Sequence, residues 1–85
     1  MSAKKMFEEL GYKFKFHEDL NCIEFNNAKE DGEDYDTEGH IYFYLDKKSI
    51  HIDSINDYYY IGISEINAIN KQIAELGWLK TKNKK

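Results

Sequence analysis

The chain predicts an α+β fold: a four- to five-stranded antiparallel meander with an N-terminal and a C-terminal helix packed on one face. Two observations carry the prediction. Apolar and polar residues alternate over 12–17, 21–26, 40–45, 49–54 and 58–63, the period of strands with two different faces. Near both ends the apolar spacing changes to the threes and fours of a helix. Helices on one side of such a sheet leave its other side open to water or to a partner.

The first helix is predicted over 2–10, with Ala3, Met6, Phe7 and Leu10 on one stripe. Ser2 is placed to cap it, and Gly11 to end it in the left-handed conformation. A turn at Asp19-Leu20 then sets Phe16 against Ile23, Lys15 against Glu24 and Phe14 against Phe25. Apolar meets apolar and Lys meets Glu, which is a consistent hairpin register.

A turn at Lys47-Lys48 is expected to pair Leu45 with Ile50, Phe43 with Ile52, Tyr44 with His51 and Tyr42 with Asp53. Another at Asn56-Asp57 would return 58–63 as a fifth strand, pairing Ile52 with Ile61 and setting Tyr60 beside Asp53. Ser64 is the expected cap of the second helix, and Ile66, Ile69, Ile73 and Leu76 its stripe. Gly77 fits its stop, with Trp78 folding back on Ile73.

These pairings give the sheet one oily face: Phe14, Phe16, Ile23, Phe25, Ile41, Phe43, Ile50 and Ile52, with Tyr12, Leu45, Tyr59, Ile61 and Ile63 in the same register. The other face is polar and aromatic, carrying His40, Tyr42, Tyr44, His51, Asp53, Tyr58 and Tyr60.

The 85 residues make one domain over 1–79, followed by a Lys-rich flexible tail over 80–85. Cys22 is the single cysteine, so no internal disulfide forms, and an inert strand residue is expected there. No apolar run approaches a membrane span, and the opening MSAKKMFEELGYK lacks the apolar centre of a signal peptide. A cytoplasmic setting is expected. All 12 basic residues are Lys, which removes Arg, the best side chain for bidentate phosphate recognition.

The blocks ISEINAINKQIAELGWL, MFEELGYK and YFYLDKKSIHI resemble small uncharacterised proteins encoded by phages and prophages of low-GC Gram-positive bacteria. The likeness rests on capping and core positions and brings no catalytic residues. It implies an accessory protein that acts by binding a host protein.

Function is expected on the polar aromatic face, as a non-enzymatic contact with a host protein or with a second copy in a homodimer. The candidate partner-binding residues are Tyr42, Tyr44, His51, Asp53, Tyr58 and Tyr60. Tyrosine suits this role because it supplies a large contact area and a hydrogen-bonding tip. A small enzyme or metal-binding domain is the last alternative, after an acidic loop that imitates a run of phosphates and inhibits a nucleic-acid-handling or defence protein. The loop's six carboxylates are Glu30, Asp31, Glu33, Asp34, Asp36 and Glu38. A solvated, solubilising loop is the plainer reading of the same residues.

Asp34, Asp36, Glu38 and Gly39 match half of a calcium loop, but Leu45 stands where the bidentate Glu belongs. His17, His40 and His51 read as separate surface histidines. No cofactor, metal or membrane partner is expected. A net charge of −4 argues against direct nucleic-acid binding.

Overall fold

The structure is a computed structural model and describes residues 1–28, 38–54 and 58–79. Its elements run α1 (Ala3–Glu9), β1 (Lys13–His17), β2 (Cys22–Asn26), β3 (Gly39–Tyr44), β4 (Ser49–Ser54) and α2 (Ile63–Glu75). The strands form one four-stranded antiparallel sheet in the order β1-β2-β3-β4, with both helices on its oily face.

Helix α1 forms as its sequence predicts. The Ser2 hydroxyl accepts the Lys5 backbone N–H at 3.1 Å. At the other end Gly11 takes φ +93°, so its N–H reaches the Glu8 carbonyl and the Tyr12 N–H reaches that of Phe7. Helix α2 ends in the same way. Gly77 takes φ +75°, its N–H bonds to Ala74, and Trp78 N–H bonds to Ile73. In both, an aromatic residue follows the glycine and turns back to the core: the Tyr12 ring meets Phe7 edge-on at 5.6 Å, and the Trp78 ring lies 6.3 Å from Phe43.

The start of α2 differs from expectation. Gly62, not Ser64, is its N-cap, and Ser64 lies inside the first turn. Glu65 Oε1 accepts the Gly62 N–H at 3.0 Å, so the carboxylate supplies the cap and also sits at the positive end of the helix. The buried stripe is rotated as well. Ala68 and Gln72 are buried and flanked by Ile69, Ile73 and Leu76, while Ile66 is exposed. The helices also fasten to each other, as Glu75 Oε2 accepts the Ala3 N–H at 2.9 Å.

The core is aromatic. Phe7 stacks on Phe25 at 4.0 Å, and Phe43 meets both edge-on. Tyr12, Ile41 and Ala68 complete its buried centre. Coverage of the oily face stops short of the sheet margins, where Phe16 is 50% and Ile52 44% exposed.

The first hairpin keeps the predicted register, from Lys13 opposite Asn26 to His17 opposite Cys22. The second is shifted by two residues, so that Phe43 faces Ile50, Tyr42 faces His51 and His40 faces Asp53. The cause lies in the neighbouring loop. Leu45 donates its N–H to the Asn21 carbonyl, and Asp46 accepts from Asn21 Nδ2 at 2.7 Å. Leu45 is thereby committed to the first hairpin's loop, and the connection opens to 45–48 with Lys48 at φ +53°. A slip of two leaves every side chain on its predicted face.

Among the described residues no fifth strand forms. Residues 58–62 instead cross the helix side of the sheet, where the Tyr59 ring lies over Gly39. Any Cβ at position 39 would overlap that ring. The Tyr59 hydroxyl meets the Tyr12 hydroxyl at 2.7 Å, and Tyr12 reaches Glu65 at 3.3 Å. Burial, the Tyr59 contact and the Glu65 charge push the Tyr12 hydroxyl well above an ordinary phenol. Both hydroxyls therefore stay protonated and fasten the crossing segment to α2.

Candidate functional site

The polar face is ordered by its cross-strand rows. One row runs Lys15, Glu24, Tyr42, His51, each opposite the next. The rows beside it run His17, Cys22, Tyr44, Ser49 and Lys13, Asn26, His40, Asp53. Tyr42 therefore has His40 and Tyr44 two residues away on its own strand, His51 directly across and His17 on the diagonal. Its ring centroid lies 6.2 Å from His40, 6.1 Å from Tyr44, 6.0 Å from His51 and 6.5 Å from His17. The His40 ring is within 9° of parallel to it.

Glu24 lies among these rings and is only 5% exposed. A carboxylate removed from water this far needs a hydrogen bond at each oxygen. His17 Nε2 contacts Oε1 at 2.6 Å, His40 Nδ1 contacts Oε2 at 2.6 Å, and Asn26 Nδ2 donates to Oε2 at 3.0 Å. Burial pushes the carboxyl upward, but the bonds from His40 and His17 and the charge of His40 outweigh it. The group is held below the usual carboxylate range. Since an ionised carboxylate only accepts, each contacting nitrogen donates to it.

The network continues outward. His40 Nε2 contacts Glu38 Oε2 at 2.9 Å, and the Glu38 carbonyl accepts from Ser54 Oγ at 3.1 Å. Burial lowers the His40 imidazole, but its bonds to Glu24 and Glu38 outweigh that and raise it. The Tyr42 hydroxyl is also raised, chiefly by burial and then by the charge of Glu24.

Of the predicted partner-binding residues, the structure brings Tyr42, Tyr44, His51 and Asp53 together on this face. Tyr58 and Tyr60 do not enter the sheet on a fifth strand as predicted. Without a fifth strand the pairing of Tyr60 with Asp53 does not form, and both tyrosines are exposed on the crossing segment, flanking the inward Tyr59. Of the acidic-loop residues, Glu30, Asp31, Glu33, Asp34 and Asp36 lie outside the described residues, as does the 80–85 tail. Glu38 is engaged by His40.

The expectation of three separate surface histidines is corrected. His17 and His40 converge on one carboxylate, and His40 and His51 both flank Tyr42. His17, Glu24 and Asn26 are the site residues that sequence reasoning missed. The signal was present in the first hairpin, whose register sets His17 two residues beyond Lys15, the partner of Glu24, and so within diagonal reach.

Among the described residues no group of three or more His, Cys, Asp or Glu side chains is arranged to hold a metal ion. None of the described helices is long and apolar enough to cross a membrane. Cys22 is fully buried, and that burial, with the charges of Glu24 and Asp19, raises its thiol and makes it a weaker nucleophile. A groove of about 240 Å³ lies between the helices, lined by Met1, Met6, Glu9, Leu10, Ser64 and Asn67.

No protein-family model matches the chain, and neither does any curated protein or solved structure. What the fold and site define is a class by architecture: a small α+β domain whose meander keeps one face for its helices and builds the other around a buried, histidine-bound carboxylate.

Proposed function

We propose that this chain is a non-enzymatic protein-binding domain. Its working surface is the polar face centred on Tyr42, with Tyr44, His51 and Asp53 as the contact residues beside it. Its partner is a protein, either a second copy or a protein of the cell that makes it. One observation carries the reading: four rings surround Tyr42 over hydrogen-bonded Glu24, so aromatic contact area is preorganised. Preorganised rings lose little side-chain freedom on binding, which is why aromatic anchors dominate protein interfaces. An open sheet face also suits a flat protein surface better than a small substrate, which needs a concave pocket.

Sedimentation equilibrium and affinity capture from host lysate test this with one variant. Tyr44→Lys combined with His51→Lys places two cations on the face and leaves Glu24 and its partners intact. Loss of self-association or of a captured protein is expected, with the circular dichroism spectrum unchanged. Binding equal to wild type in the folded double variant would remove this face as the working surface.

A further inference from the structure

His40 uses both ring nitrogens on carboxylates: Nδ1 on Glu24 and Nε2 on Glu38. A neutral imidazole carries one N–H and one lone pair, so it serves only one of two ionised acceptors. An ordinary imidazole is a stronger base than an ordinary carboxylate by about two pK units. The second proton therefore rests on the ring, and His40 is an imidazolium bridging two anions. Of the other charges around it, a carboxylate favours the imidazolium and two lysines oppose it. Asp53 stands opposite it on β4, Tyr42 stacks on it, and His17 shares Glu24. Lys13 stands at the β1 end of the same row as His40, and Lys15 in the row beside it.

We propose that His40 is a proton-operated latch. Doubly protonated, it joins Glu38 to the sheet beneath the stacked face. When one proton leaves, the remaining N–H stays with Glu24, the more buried of the two carboxylates (side chain 6% against 14% exposed) and the closer to the ring (2.6 Å against 2.9 Å). The Nε2 lone pair then faces Glu38 Oε2, and that contact opens. The Glu38 side chain is freed while its carbonyl stays bonded to Ser54, and the ring against Tyr42 loses its charge. Building on the protein-binding role of this face, partner affinity is accordingly linked to protonation of His40.

The latch is tested on the free protein, so its outcome is independent of whether the face binds anything. Imidazole carbon-bound proton shifts are followed against pH for wild type and for Glu38→Gln, together with the Tyr42 ring signals. The His40 midpoint is expected above the ordinary 6.5 and lower in Glu38→Gln than in wild type, since the amide tolerates either form of the ring. The Tyr42 signals should move with the same midpoint. A His40 midpoint at or below 6.5, or one unmoved in the folded variant, overturns the latch. Tyr42 signals that ignore the His40 midpoint overturn its link to the face.

Discussion

The two faces of this sheet are stabilised by different physics. On the helix side, Phe7, Phe25 and Phe43 are buried against one another, and what counts is the apolar area and volume filled. On the other side the most buried charged residue is Glu24, and what counts is whether each of its oxygens finds a donor. The first kind of packing is non-directional and tolerates a small shift of a partner. The second depends on atoms from β1, β2 and β3 meeting within hydrogen-bond distance. One face is therefore set by composition and period, the other by register.

The largest loss is expected from the core. Phe7→Ala removes a fully buried ring that stacks on Phe25, and a loss of about 3–5 kcal/mol is expected. Urea denaturation measures it, and a cost below about 1 kcal/mol would show that the helix does not anchor the core. Glu24→Leu tests the opposite face. It leaves His17, His40 and Asn26 without their shared acceptor, and about 1–3 kcal/mol should be lost although an apolar side chain replaces a charge. Phe16→Thr is the smallest change. Phe16 is apolar and on the core side, yet half exposed at the sheet margin, so less than about 1 kcal/mol is expected.

Acidity separates the faces without mutation. The Glu24 carboxyl is held below its ordinary 4.5, so its contribution is present above that pH and is lost as pH falls through the folded value. His40 is raised above its ordinary 6.5, so its contribution is complete below 6.5 and is lost as pH rises through the folded value. Between these limits both are intact. Urea midpoints measured across pH should therefore form a plateau falling at both ends, and Glu24→Gln should flatten the acid side. An acid limb as steep in Glu24→Gln as in wild type would assign that loss to other groups.

Much of the fold was legible in the sequence, for local reasons. The Ser2 cap, the Gly11 and Gly77 stops and the first hairpin each depend on residues close in the chain. The errors fall where a distant contact decides. Asn21 captures Leu45 and Asp46 and moves the second hairpin by two residues. The Tyr59–Tyr12–Glu65 bonds draw 58–62 onto the helix side instead of into the sheet as the expected fifth strand. The site divides in the same way: Tyr42, Tyr44, His51 and Asp53 share a face by parity alone, whereas Glu24 receives His40 only because β2 lies beside β3.

Local sequence is enough for the α+β class, the glycine stops of both helices and the facing of side chains on the four strands. These follow from period and capping, which act within a few residues. Only the tertiary structure decided the strand order, the placement of Tyr59 and the union of His17, Glu24, His40 and Glu38. The physical reason is reach. A hydrogen bond forms only within about 3 Å, and no periodicity along one strand says which other strand will lie at that distance.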